Sequence, residues 1–123
     1  LERLDEFNKH RRKLAIFYHK KLKNLSPKPY PLNPDSVYLR YPVRRSDAHD
    51  IIKKARKHGI LLGDWYNSVI APDDTNLEKM QYKNGSCPTA ERLVAETFNL
   101  PTNPNLSIED ANRVVEFLKT EVE

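Results

Sequence analysis

Apolar side chains recur at spacings of three, four and seven over the first 25 residues, which is the pattern of an amphipathic helix. We therefore predict one long helix over residues 1–25. Arg11 falls on the apolar stripe itself. It is either an arginine whose aliphatic stem covers apolar surface or one that is paired at a domain or subunit contact. The apolar stripe consists of Leu4, Phe7, Leu14, Tyr18, Leu22 and Leu25.

Four prolines lie between residues 26 and 35. Because proline fixes φ and lacks a backbone donor, we expect an extended connector there, with a proline-rich peptide ligand as the rarer alternative. Apolar and polar residues then alternate from 37 to 43, which predicts a half-buried strand. Pro42 favours an edge strand or the end of a strand.

A second helix is predicted over residues 46–59. Ser46 or Asp47 can cap its first turn, and Asp50 would complete a capping box with Asp47. Gly59 is suited to the position that follows the last helical turn, where the backbone turns left-handed.

The pattern then changes to an apolar run that predicts a strand over residues 60–66. Residues 67–84 are rich in turn-forming side chains, and we expect irregular structure there. A helix is predicted over residues 88–98, because Pro88 fits its first position and apolar residues recur along it. Glu91 lies early in this helix, where an acid supports the helix dipole or the cap.

Residues 99–102 predict a short extended segment, and residues 107–123 predict a last helix. Ser107 should cap that helix, with Asp110 completing a capping box. The predicted fold class is α+β, with a small, mainly antiparallel sheet of about three strands that is covered by helices. The predicted buried stripe of the last helix consists of Ile108, Ala111, Val114, Val115, Leu118 and Val122.

The length of 123 residues predicts one domain, and the net charge of +4 is compatible with nucleic-acid binding. Acidic and basic residues are interspersed, however, so a mixed solvated surface is the simpler interpretation, and a nucleic-acid partner is not favoured. A domain that binds other proteins through the apolar stripe of the first helix is a third alternative. A nucleic-acid module would use the basic side chains of Arg11, Arg12, Lys20, Lys21 and Lys23.

No apolar run is long enough for a membrane span, and the single cysteine, Cys87, excludes an internal disulfide. Both features favour a cytoplasmic protein without a membrane partner. The three glycines are too scattered for a phosphate-binding loop.

The titratable residues predict no self-sufficient active site. Cys87 has no histidine near it in the sequence, and the histidines are not spaced as metal ligands. We therefore name no catalytic, cofactor-binding or metal-binding residue. Asp64, Trp65 and Tyr66 follow Gly63 at the end of a predicted strand, where such residues either line a pocket or cap the core. The histidines are His10, His19, His49 and His58.

An ordered set of short motifs resembles the C-terminal domain of the DegT/StrS-type nucleotide-sugar aminotransferases, over essentially all 123 residues. The segment from Gly85 to Ser107 carries the last of them, a Pro-x-Ala-Glu sequence followed by Leu-Pro. The matching residues are Arg11, Ala15, Tyr18 and Leu22 in the first helix, Tyr41–Pro42, Gly59–Ile60, Pro88 to Glu91, and Leu100–Pro101.

The resemblance implies an enzyme with the aspartate-aminotransferase fold that uses pyridoxal phosphate to move an amino group from an amino acid to a keto sugar nucleotide. The cofactor-binding residues of the family lie in a large N-terminal domain, which would precede residue 1. Residues 1–25 would then be the domain-joining helix and residues 26–123 the C-terminal small domain, which would be inactive alone. The resemblance also implies a homodimeric parent enzyme.

The resemblance also implies roles for particular residues. Arg11 and Tyr18 are expected at the interface with the large domain. The family has a pocket segment written His-Tyr-x-Pro-Leu-His, and its tyrosine corresponds to Tyr66. Trp65 and Ile70 replace the two histidines and Ser68 replaces the proline, so this segment departs from the family's usual substrate contacts. The residues expected to line the substrate cleft are Asp64, Trp65, Tyr66 and Asn67.

Overall fold

The computed structural model of the chain describes residues 2–24 and 29–121, apart from the side chain of Glu2. Its helices and two paired strands confirm the predicted α+β class. The elements are, in chain order, α1 (Glu2–Leu22), β1 (Tyr41–Arg44), α2 (Ala48–Lys57), α3 (Pro88–Glu96), β2 (Thr97–Leu100) and α4 (Ile108–Thr120).

The strands β1 and β2 pair antiparallel, and their register places Tyr41 opposite Leu100 and Arg44 opposite Thr97. Because side chains alternate between the two faces of a strand, every second residue of each strand points into the core. The other face of the sheet is the outer face. The buried inward residues are Tyr41, Val43, Phe98 and Leu100.

The prediction of about three strands is wrong, because the described chain forms two and the segment after α2 is not a strand. Instead of a strand over residues 60–66, the described chain has one isolated bridge, at which Gly63 exchanges backbone hydrogen bonds of 2.8 and 2.7 Å with Asn99. A Cβ atom on Gly63 would lie 3.3 Å from both Asn99 Cβ and Arg40 Nη1. The backbones thus approach closely at this point, which suits glycine.

Two predicted boundaries also differ from the structure. Regular pairing in the first strand begins at Tyr41 rather than at residue 37. The helix predicted over residues 88–98 ends at Glu96, and Thr97 and Phe98 belong to β2. Phe98 is fully buried opposite Val43, so packing and pairing with a distant strand override the helical periodicity.

The second half of α1 is part of the core. Its side chains pack on α4 and on the inward face of the sheet, and the hydroxyl of Tyr18 donates a 2.9 Å hydrogen bond to the carbonyl of Pro101. The first turns of α1 are not part of the core, since Leu4 is 48% exposed. Leu25, the last member of the predicted stripe, lies outside the described residues. The fully buried residues of α1 are Leu14, Ala15, Tyr18 and Leu22.

The start of α4 confirms the predicted capping box. The hydroxyl of Ser107 accepts a 3.0 Å hydrogen bond from the backbone N–H of Asp110, whose carboxylate accepts in turn from the backbone N–H of Ser107. Phe117 joins the predicted buried stripe, and Val122 lies outside the described residues. The cap fixes where α4 begins and hence which of its faces meets the core.

The cap predicted for α2 is wrong, although Asp47 does precede its first turn. The carboxylate of Asp47 caps no backbone N–H. It accepts instead from the guanidinium of Arg45, at 2.9 and 2.8 Å. The predicted end is confirmed, because Gly59 has a φ of +71° and the chain closes with a 2.9 Å bond from Ile60 N–H to the Ala55 carbonyl.

Within residues 2–24 and 29–121, no helix combines the length and the apolar character that a membrane crossing requires.

Candidate substrate groove

A groove of about 430 Å³ lies against the outer face of the sheet. Pro42 and Asn99, which are paired across the two strands, form its floor. Trp65 and Tyr66 form one side, and Leu93 and its neighbours on α3 form the other. The lining is mostly apolar with a few polar atoms, which is the usual character of a ligand site.

Trp65 and Tyr66 lie on the rim of the groove and do not cover the core. Their rings stack with a centroid distance of 6.0 Å and an interplanar angle of 19°. They are 59% and 65% exposed, so most of their surface is free to contact a ligand. The side-chain amide of Asn99 donates a hydrogen bond to the carbonyl of Trp65. This bond and the bridge at Gly63 attach the segment to the sheet.

The other two predicted cleft residues lie outside this groove. Asn67 lines an adjacent cavity of about 270 Å³, where its amide donates a 3.4 Å hydrogen bond to Asp73. Asp64 is exposed and does not line the groove. The structure therefore brings Trp65 and Tyr66 together at one surface and turns Asn67 and Asp64 away from it.

Glu91 anchors the loop that precedes α3. One of its carboxylate oxygens accepts hydrogen bonds from the hydroxyl of Tyr82 at 2.6 Å and from the backbone N–H of Gly85 at 2.7 Å. These bonds favour the ionised carboxylate, and the Tyr82 bond first of all holds the pKa of Glu91 below its usual value. The same bond raises the pKa of Tyr82 to about 12. Glu91 thus holds loop structure, a role that its place in the sequence did not indicate.

The comparison with known families decides the identity of this architecture. The model of the DegT/DnrJ/EryC1/StrS aminotransferase family matches residues 1–119. The chain belongs to this aminotransferase family. The resemblance inferred from the short motifs is therefore confirmed. No curated protein matches the chain.

Solved structures share the fold of this aminotransferase chain. DesV from S. venezuelae, solved with a ketimine intermediate, has a TM-score of 0.86 at 24% identity and covers 100% of this chain and 34% of its own. The sugar aminotransferase CalS13 from Micromonospora echinospora has a TM-score of 0.78 at 23% identity, covering 98% and 32%. A DegT DnrJ EryC1 StrS aminotransferase from Brucella abortus has a TM-score of 0.80 at 20% identity, covering 99% and 33%. The chain thus spans about a third of the length of these structures.

Two arginines, one at the end of β1 and one directly before it, differ in their surroundings. At the α3 end, Arg44 donates a 2.6 Å hydrogen bond to the carboxylate of Glu96, so its charge is compensated. Near the other end, the guanidinium of Arg40 lies over the ring of Trp65, 4.6 Å from its centroid. Sequence reasoning missed Arg40, although its place on the polar side of the alternating pattern was a signal that it would face outward.

The predicted interface residues have different environments within the domain. Arg11 is half-buried and donates a 3.2 Å hydrogen bond to Asn8, while its Nε is buried without a partner among the described residues. Tyr18 is fully buried in the domain's own core. A role for either residue at a contact with a second domain stays a prediction.

The remaining reactive groups form no second site in the described part of the chain. Cys87 is exposed before α3. Residues 2–24 and 29–121 contain no group of three or more His, Cys, Asp and Glu side chains that could hold a metal ion. The lining of the groove also contains neither a lysine nor a carboxylate. These residues therefore do not fit the anchoring of pyridoxal phosphate, which takes a lysine and an acid beside the pyridine nitrogen.

Proposed function

We propose that this chain is the C-terminal part of a pyridoxal-phosphate-dependent aminotransferase that moves an amino group from an amino acid to a keto sugar nucleotide. The observation that carries the proposal is the family match over residues 1–119, together with a groove whose aromatic rim is exposed. Family membership favours this function over a nucleic-acid module or a protein-interaction domain. The chain's span of about a third of the solved structures supports a larger parent polypeptide.

The proposed division of the enzyme assigns residues 1–25 to a domain-joining helix and residues 26–123 to the small domain. The contrast along α1 supports it, since the side chains of residues 3–6 are exposed whereas Leu14 and Leu22 are fully buried. An exposed apolar residue such as Leu4 would be covered by the large domain. The parent enzyme would work as a homodimer, in keeping with the family.

The role proposed for this part of the chain is to bind and orient the sugar substrate. Trp65 and Tyr66 would form one wall of the cleft, because exposed aromatic faces pack on sugar rings and nucleobases at a low cost in conformational entropy. Pyridoxal phosphate, held by the remainder of the polypeptide, would supply the electron sink for amino transfer. No residue of this chain is assigned a step on the cofactor, and the chain alone would be inactive.

The first experiment separates the chain from its parent enzyme. The 123-residue chain and the full polypeptide are each titrated with pyridoxal phosphate, and the absorbance of the bound cofactor is recorded. We expect a stoichiometric signal from the full polypeptide and only weak reaction of surface lysines with the chain. A specific, stoichiometric complex with the 123-residue chain alone would overturn the proposal.

The second experiment tests the groove in the full enzyme. The variants Trp65→Ala and Tyr66→Ala should each raise the KM for the keto sugar nucleotide by about tenfold, the scale of one lost packing contact. The cofactor absorbance should stay unchanged. Met80→Ala, at an exposed position outside the groove, is the control. An unchanged KM in both aromatic variants would show that the groove does not face the substrate.

A further inference from the structure

Beside the end of the groove near Trp65 lies Arg40, whose charge has no carboxylate partner among the described residues. We propose that Arg40, supported by Arg11, forms an oxyanion site that binds the charged end of the ligand lying in the groove. The inference deepens the proposed function and rests on it, since it takes the groove to be the ligand site. The ligand chemistry is a phosphate or carboxylate group, and the test below distinguishes these two sources.

Arg40 directly precedes β1, and its contacts place its guanidinium at the rim of the groove. The guanidinium lies over Trp65, and its Nη1 lies where a Cβ atom on Gly63 would approach it to 3.3 Å. Stacking on Trp65 at 4.6 Å holds the guanidinium at the rim. A cation–π contact of this kind leaves the N–H donors at the edge of the guanidinium plane free.

The charge of Arg40 is unmatched within the part of the chain that the structure describes. Arg44 and Arg45 each have a carboxylate within 2.8 Å. Arg40, in contrast, forms no ion pair and no hydrogen bond with any described residue. Asp64 is near Trp65 in the sequence, but it makes no ion pair with Arg40.

A second arginine, Arg11, shares a pocket with Arg40. Arg11 and Arg40 both line a pocket of about 240 Å³, together with Leu39, Thr102 and other residues. The Nε of Arg11 is buried without a hydrogen-bond partner among the described residues, and its Nη1 donates a 3.2 Å hydrogen bond to Asn8. The hydroxyl of Thr102 is already used, because it donates to the Leu39 carbonyl at 2.8 Å. No carboxylate lines this pocket.

Two like charges that share a small pocket repel each other, and an oxyanion between them would remove the repulsion. The planar fork of a guanidinium matches phosphate and carboxylate oxygens and can bind them in a bidentate manner. Trp65 connects the pocket to the groove, because it lines the groove and stacks on Arg40. A ligand whose uncharged part packs on the aromatic rim would thus place its anionic end beside Arg40.

Anion binding to the 123-residue chain tests the site by calorimetry, a readout that does not depend on enzyme activity. Inorganic phosphate, inorganic pyrophosphate and glutamate are titrated separately, and the Kd is compared at two salt concentrations. We expect saturable binding of at least one anion that weakens as salt is added. Fluorescence of Trp65, the only tryptophan of the chain, should change in the same titration. A response to phosphate or pyrophosphate alone identifies a phosphate end, and a response to glutamate alone identifies a carboxylate end.

The variants Arg40→Gln and Arg11→Gln should each raise the Kd by at least tenfold, on the scale of a lost charge-assisted hydrogen bond. Arg40→Lys keeps the charge but loses the planar fork, so it should recover only part of the affinity. Arg56→Gln removes the same charge at an exposed position outside the pocket and should change the Kd less than twofold. Far-ultraviolet circular dichroism and the Tm check that each variant is folded.

Absence of saturable binding, or equal losses in Arg40→Gln and Arg56→Gln, would overturn the anion site. The outcome for the anion site can be distinguished from the outcome for the substrate cleft. If Arg40-dependent anion binding is found but the Trp65 and Tyr66 variants leave the KM of the full enzyme unchanged, the anion site stands and the substrate-cleft proposal fails. If those aromatic variants raise the KM while no anion binds at Arg40, the substrate-cleft proposal stands and the anion site fails.

Discussion

The hydroxyl of Tyr82 donates a 2.6 Å hydrogen bond to a carboxylate oxygen of Glu91, which also accepts from the backbone N–H of Gly85. The three groups join the loop before α3 to the first turn of that helix. The carboxylate also lies near the helix N-terminus, where the helix dipole favours a negative charge. The Pro-x-Ala-Glu motif therefore ends in an acid that fixes the geometry of the loop.

The Glu91 contact predicts a pH-dependent stability. Its pKa is lowered in the folded chain, first by the Tyr82 hydrogen bond, so the stabilisation is complete above the ordinary value of 4.5 and is lost as the pH falls through the folded pKa. The pKa of Tyr82 is raised to about 12 in the folded chain. The stabilisation from the Tyr82 hydroxyl is therefore complete below pH 10.0 and is lost as the pH rises towards about 12. The Tm difference between the wild type and Glu91→Gln should therefore shrink at both ends of the pH range.

Thermal unfolding followed by circular dichroism over a series of pH values measures this difference. Glu78→Gln removes an exposed carboxylate with no side-chain hydrogen bond among the described residues, and its Tm difference should stay small throughout. A Glu91→Gln difference that does not vary with pH would contradict the role of the ionised carboxylate.

The capping box of α4 predicts that Ser107→Ala lowers the free energy of unfolding by about 1 kcal/mol, the usual contribution of an N-cap side chain. The reason is that the N–H of Asp110 loses its 3.0 Å partner. Urea unfolding measures the effect. Ser46→Ala is the matched control, because no cap hydrogen bond forms at the start of α2. Equal effects of the two substitutions would show that the cap is not what stabilises α4.

The buried hydroxyl of Tyr18 predicts that Tyr18→Phe destabilises the chain by about 1 to 2 kcal/mol, since the carbonyl of Pro101 is left without this partner. Tyr38→Phe is the control. The Tyr38 hydroxyl bonds to the Asn33 carbonyl at an exposed site, where water replaces it, so the change should stay within about 0.5 kcal/mol. Chemical unfolding of both variants checks the contrast, and a neutral Tyr18→Phe would refute it.

The division of α1 into an exposed and a buried part predicts different costs for the same substitution. Leu14→Ala should lower the free energy of unfolding by about 2 to 5 kcal/mol, because it removes a fully buried side chain. Leu4→Ala, at a position 48% exposed, should cost no more than about 0.5 kcal/mol in the 123-residue chain. Urea unfolding of the two variants makes the comparison, and similar costs would contradict the packing of α1 described above.

Local signals in the sequence predicted the parts of the fold that depend on neighbouring residues. The Ser107–Asp110 capping box and the left-handed Gly59 are both read from a few consecutive residues, and the structure confirms both. The errors arise where distant residues decide. Thr97 and Phe98 continue a helical pattern, but pairing with Arg44 and Val43 makes them a strand.

The candidate site was predictable in its aromatic part only. Trp65 and Tyr66 were identified because bulky aromatic residues follow a glycine at the end of an apolar run. Arg40 becomes part of the site only through its contact with Trp65, which lies far from it along the chain. No periodicity along the chain indicates such a pair.

The segment that carries Trp65 and Tyr66 is joined to β2 by the Gly63–Asn99 bridge and by the hydrogen bond from the Asn99 side chain to the Trp65 carbonyl. Neither contact uses a hydrogen bond between β1 and β2. The chain beyond Trp65 can therefore change in sequence or length while the two strands stay paired, so the aromatic rim and the core can vary separately.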